Sequence, residues 1–266
     1  MAPQVAIVFG LTFVIHLVGT LAYALRIAGV RTGRVAVSFA LFNVLMLLSR
    51  TANTFQGPLL AKHVEGNILR GTTAGAEADF RWLLAAAPLA TLTGALLLPT
   101  AQRMFAAAIE SFARHRSVPR LLWRGLSPTG LRYARAAARA PARENLTRLH
   151  LGGAPLGILC SNVLATALIT VGVFASLHAG YLHPELRVTA NNLSPVVNAL
   201  STVLLFVWID PYLSILSDDV VAGRATDAFF RRAVVLFVGG RLLGTLLAQL
   251  LLLPAAEIIV AVAKLL

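Results

Sequence analysis

Six long apolar runs separated by shorter polar or basic stretches organise this chain, at about residues 5–28, 35–60, 82–106, 153–178, 195–216 and 233–256. Each matches or exceeds the ~20 residues that a helix needs to cross a ~30 Å hydrocarbon core. The runs are continuous rather than alternating, which argues against a closed β-barrel. The pattern predicts an all-α integral membrane protein with six transmembrane helices. Pro88 and Pro99 should kink the third helix, which can run on through Ala113, and Pro211 should bend or end the fifth.

The polar residues inside these runs carry the functional signal. Arg50 lies deep in the second run, with Asn43, Asn53 and Gln56 around it. A charge at such depth costs about 3 kcal/mol on insertion scales, and persists where a partner, a water-filled cavity or an anionic ligand offsets that cost. In the first run, His16, Thr20, Tyr23 and Arg26 or Ile27 follow a single helical face, as do Asn43, Arg50, Asn53, Thr54 and Gly57 in the second. A tight loop makes these two helices antiparallel neighbours. Their stripes can therefore face one cleft, with His16 and Arg50 at similar depth. Hydrogen bonding between helices is the plain reading for Thr20 and Asn43. It fits Arg50 less well, because the first three runs contain no carboxylate. His16 stands open between the two readings. Asp210 and Arg241 fall at matching depth in antiparallel runs, which predicts an ion pair, either structural or gating. Glu257, near the end of the last run, reads as interfacial or as a proton carrier.

Composition agrees with the membrane reading: 58% of the 266 residues are hydrophobic and only 13% charged, against about 25% charged in soluble domains. Charge supplies the orientation. Arg26, Arg31 and Arg34 follow the first run, Arg224, Arg231 and Arg232 follow the fifth, and the stretch 103–148 holds ten arginines against Glu110 and Glu144, a net of +8. The positive-inside rule puts these three connections in the cytoplasm and both termini outside. No basic residue precedes the first run, so it reads as an uncleaved span rather than a secretory signal. The expected organisation is one polytopic domain: three spans within 1–106, a basic connection at 107–152 and three spans within 153–266. An odd number of spans per half implies two inverted halves, as in many secondary transporters.

Segment 117–150 reads as amphipathic surface helices. Arg132, Arg135 and Arg139 share a face, and Leu121, Leu122 and Trp123 can enter the lipid. Its simplest partner is anionic phospholipid; a collecting surface for a diphosphate-bearing lipid is the sharper alternative. The isoelectric point of about 11.4 does not call for nucleic acid, since the basic charge sits in a loop against a membrane. Cys160 is the only cysteine, which excludes an intrachain disulfide and any thiolate cluster. His115 and His150 are too isolated to suggest a metal. No HExxH, Walker A or GxSxG pattern occurs. A transporter is expected rather than an enzyme, with no cofactor and no nucleotide hydrolysis.

The segments His16–Arg26 and Ala28–Arg34, with Leu41-Phe42-Asn43, Ser49–Pro58, Asp210–Ser214 and Asp218-Asp219-Val220, resemble the Amj family, the alternate lipid II flippases of bacteria. One departure is Gly19, where the family's pattern often carries an acid; an acid there would be a candidate partner for the second-span arginine. The resemblance implies a polyprenyl-diphosphate-linked disaccharide-pentapeptide, lipid II, as substrate, and the bacterial cytoplasmic membrane as location. Arginine forks suit phosphate oxygens. On this expectation Arg26, Arg31 and Arg34 receive the diphosphate, Arg50 holds it at mid-depth, and His16, Tyr23, Asn43, Asn53 and Gln56 complete the substrate site. Asp210, Arg241 and Glu257 are the gating or ion-pair residues. The rival readings are a scaffold of envelope synthesis and an intramembrane polyprenyl-phosphate enzyme using Asp210 or Glu257.

Overall fold

The computed structural model describes residues 3–72, 75–141 and 155–266. Arg143, Glu144, Arg148 and His150 of the basic connection lie outside the described residues. Every regular element among them is helical. The long ones are α1 (Pro3–Thr32), α2 (Val35–Leu69), α3 (Ala76–His115), α6 (Leu156–Leu182) and α10 (Asp227–Leu265). Between α3 and α6 come the short α4 (Val118–Leu126) and α5 (Pro128–Ala137). The fifth span is built from pieces: a 3-10 turn at Pro184–Leu186, α7 (Arg187–Asn192), α8 (Ser194–Leu204), a π turn at Leu205–Ile209 and α9 (Asp210–Val221). Among the described residues, six spans are long and apolar enough to cross a bilayer, so the chain is an all-α, multi-pass membrane protein.

Each helix outlasts the apolar run that announced it. The third keeps going for 40 residues through Pro88 and Pro99 to His115. Pro211 does not end the fifth span. Its ring would collide with the carbonyl four residues back, and the chain widens just before it: the Asp210 N–H donates to the Leu205 carbonyl, five residues back rather than four. The helix thus passes Pro211 by widening one turn, whereas α3 carries its two prolines within an α-helix.

The first span packs most on the third, α1 on α3, and the fourth most on the sixth, α6 on α10. Close approach depends on small residues. Gly94 of α3 receives the Thr20 side chain of α1. On α10, Gly240 and Gly244 form a Gly-x-x-x-Gly face against α6; a Cβ at Gly244 would lie 2.5 Å from the Val163 carbonyl and 2.7 Å from Thr166 Cβ. Such faces let helix backbones meet where lipid leaves no hydrophobic drive for association. The buried Asn162 of α6 locks the pair by donating to the Phe237 carbonyl at 2.8 Å.

Two apolar plugs occupy opposite ends of the bundle. At the end remote from the basic connections, Val8, Leu60, Phe80, Phe174 and Leu252 form one. At the basic end, Ile27, Leu213, Phe230 and Phe237 form another, beside a smaller group of Leu25, Ala28, Leu41 and Ile109. Leu121, expected in lipid, instead packs against this smaller group. Leu122, Trp123, Leu126 and Leu131 stay exposed on α4 and α5, whose N-termini are capped by the Ser117 and Ser127 hydroxyls.

Replacing Gly244 by leucine should force α6 and α10 apart and cost about 1–3 kcal/mol, the usual range for overpacking. Thermal unfolding in detergent checks this, with Gly239→Leu as the control, since a Cβ there meets nothing within 4 Å.

Candidate functional site

Between the plugs lies a cavity of about 610 Å³. Its walls come from α1, α2, α6, the α8–α9 stretch and one residue of α10, Arg241. The expected stripes on α1 and α2 do face it: His16, Tyr23 and Arg26 from one, Asn43, Arg50, Asn53 and Gln56 from the other. Thr20 and Thr54 are not among the lining residues, because their hydroxyls bond back to the His16 and Arg50 carbonyls within their own helices. The opposite wall adds Thr170, Asn198, Thr202 and Phe206.

The cavity opens sideways. α2 packs on α1, α3 and α6 but makes no substantial contact with α8, the π turn or α9. Along that seam, Asn43, Leu47, Arg50 and Phe206 line the cavity and are exposed as well, Leu47 at 62% and Phe206 at 51%. An apolar tail can therefore remain outside while a polar group enters. Toward the remote end the α1–α2 junction is closed, with Gln56 Nε2 donating to Thr12 Oγ1 at 3.1 Å and Ser49 bonding to the Ile15 carbonyl.

The charged residues are arranged differently from the sequence expectation. Asp210 does not pair with Arg241. Its partner is Arg26, whose Nη2 lies 2.5 Å from Asp210 Oδ1; the same guanidinium reaches Ser214 Oγ at 3.3 Å and stacks over the Phe42 ring. The reason is geometric: the π turn presents Asp210 toward α1, where Arg26 already lies on the inward face. Arg26 is therefore not a free receiver of phosphate but half of a bridge between spans one and five. Arg241 has no ion pair or hydrogen bond among the described residues, and its Nε is shut away without a partner. Its guanidinium fills the space beside Gly19, where any Cβ would collide with it. Position 19 thus faces Arg241, not Arg50.

Arg50 has no carboxylate against it among the described residues, as expected from its run. Tyr23 lines the cavity, but its hydroxyl donates to Asn162 Oδ1 at 3.3 Å. His16 is buried, with Nδ1 unpartnered. Arg31 and Arg34 are exposed at the α1–α2 turn, outside the cavity, and Arg31 bonds Gln102. Glu257 is exposed on α10 and is likewise absent from the lining. Sequence reading missed Asn162, Asn198 and the Gly240-x-x-x-Gly244 face. That glycine spacing was a legible signal; it turns the helix carrying Arg241 flush against α6. In sum, among the described residues the lining holds three arginines and one carboxylate.

A family described as "Alternate to MurJ", Amj, matches residues 11–263. The chain belongs to the Amj family. Among curated proteins, the lipid II flippase Amj of Bacillus subtilis (strain 168) is 34% identical over 262 residues, covering 98% of this chain and 97% of that protein. No solved structure matches. The Amj match spans every lining residue of the cavity, from Thr12 to Arg241.

Removing one member of a buried ion pair strands the other. Asp210→Ala should therefore lower stability by up to ~3 kcal/mol, whereas Asp218→Ala, on the exposed side of α9, should change little. Thermal melting of the two purified variants checks this, and the Arg26→Asp/Asp210→Arg exchange should recover part of the loss.

Proposed function

We propose that this chain is a lipid II flippase. It carries the polyprenyl-diphosphate-linked disaccharide-pentapeptide from the inner to the outer leaflet of the bacterial cytoplasmic membrane, by alternating access and without covalent chemistry. The observation that supports this best is the mid-depth cavity with excess positive charge, open to the side at Arg50. A soluble solute needs an aqueous path between the two faces; a lipid-linked one needs a lateral entrance at the depth where its head crosses. The Bacillus subtilis relative, a lipid II flippase by name and similar over nearly the full length, supports the identity of the substrate.

In this reading the tail stays in lipid beside Leu47 and Phe206, while the diphosphate enters past Arg50. Guanidinium donors match its oxygens bidentately. Asn43, Asn53, Asn198 and Thr202 offer amides and a hydroxyl to sugar and peptide. A volume of about 610 Å³ lies within the ~300–1,000 Å³ of pockets for drug-sized ligands, so the peptide extends into the seam or waits for a wider state. With both termini outside, the basic end is cytoplasmic, and Arg31 and Arg34 gather the diphosphate there without entering the cavity. The gate at that end is Arg26–Asp210. It closes the inner face in the described state and parts as the head enters. The pairing of first span with third in both halves supports two inverted units that rock about the cavity.

The basic faces of α4 and α5, with Trp123 and Leu126 exposed between arginines, lie on anionic phospholipid. The enzyme reading is less well supported. Among the described residues, Asp210 is the one carboxylate in the lining, it is held by Arg26, and no second acid stands beside it for acid–base work.

Arg50→Ala should reduce the appearance of lipid II head groups at the outer face at least tenfold, with Arg50→Lys keeping part of the rate. The measurement is head-group accessibility in cells that depend on this protein, with membrane insertion of each variant verified. Undiminished exposure in the alanine variant would remove Arg50 from the route.

A further inference from the structure

Arg241 is unexplained by the route so far. It comes from the third span of the second half, across the cavity from the seam, and it stands among groups that do not neutralise it. His16 and Tyr23 are near enough to interact with it electrostatically, yet neither supplies a negative charge, and the Tyr23 hydroxyl is engaged with Asn162. Among the described residues, the only carboxylate lining the cavity is held by Arg26 at 2.5 Å. Gly19 is what admits the guanidinium to this place, since a side chain there would occupy the same space. An arginine cannot shed its charge by deprotonation in a protein, so burial at this site leaves a standing demand for an anion.

The charge count gives the size of that demand. Arg26, Arg50 and Arg241 set against Asp210 leave two positive charges over. A diphosphate diester carries one negative charge on each phosphate, which matches both. We propose that Arg241, with His16 beside it, is the deep phosphoryl-binding station of the cavity. The diphosphate first meets Arg50 at the seam and then reaches Arg241 at the back wall. The Arg241 side chain is half-buried with Nε enclosed, and it lines the cavity without a partner among the described residues. His16, whose Nδ1 has no partner among the described residues, can donate to the same anion. This rests on the flippase reading and adds a residue to its substrate site.

The test uses full-length protein in nanodiscs, wild type against Arg241→Gln and Arg241→Lys. It measures the affinity for lipid II and the melting temperature with and without lipid II or inorganic pyrophosphate. Wild type should be stabilised by lipid II. Arg241→Gln should bind lipid II at least tenfold more weakly, with Arg241→Lys between the two. Without ligand, Arg241→Gln should melt no lower than wild type, because a stranded charge has been removed; a purely structural arginine would give a lower melting point. Stabilisation by pyrophosphate that the Gln variant loses would show that the phosphoryl groups alone are read. Stabilisation by lipid II only would show that the station also needs the lipid-linked sugar. Equal lipid II affinity in wild type and Arg241→Gln overturns the inference while leaving the flippase reading intact, whereas wild type that binds no lipid II defeats the flippase reading itself. If Arg241→Gln does not fold, Gly19→Ala displaces the guanidinium without removing its charge. It should weaken lipid II binding in the same direction, and unchanged affinity would again overturn the inference.

Discussion

Positive charge without a matching carboxylate, held at mid-depth in an apolar bundle, is the constraint from which the rest of this structure follows. In a medium of low dielectric, a fixed cation is expensive to keep and strongly attractive to any anion that arrives. The cavity keeps two such cations and neutralises a third internally through Asp210. That difference separates the parts that hold the bundle together from the parts available to a ligand. The Arg26–Asp210 bridge is closed on itself, with Ser214 and Phe42 adding contacts. Arg50 and Arg241 remain unsatisfied among the described residues.

Such a site survives because its surroundings are rigid. Apolar plugs at both ends keep the cavity from collapsing or flooding along the bundle axis. Glycines set the positions of the charged groups: Gly240 and Gly244 bring α10 against α6, and Gly19 leaves the space into which Arg241 turns. The fifth span, by contrast, is assembled from short pieces joined by a π turn, and it forms the wall that α2 scarcely touches. Stiff elements therefore carry the cations, and the jointed one borders the entrance.

Much of this was legible in the residues. Apolar run length gave six spans and their order, because membrane insertion is decided locally along the chain. Helical spacing placed His16, Arg50 and Asn53 on faces that do meet. Pairing across distant spans was not legible. Depth alone matched Asp210 with Arg241, but depth is one coordinate and rotation about the helix axis is another. The widened turn before Pro211 set that rotation and delivered Asp210 to Arg26. The same limitation misplaced Leu121. Span lengths were underestimated for a different reason. Polar ends such as Lys62 to Leu69 extend α2 beyond its apolar run, since helix propensity does not stop where hydrophobicity does.

The exposure of Arg50 on the flank of α2 has a consequence for the surrounding lipid. A guanidinium facing acyl chains draws water and phosphate head groups toward it, and the bilayer thins locally to meet it. One side of this bundle should therefore carry a dimple in the membrane, centred on the seam. Any amphiphile drifting past has less hydrocarbon to cross there than anywhere else around the protein.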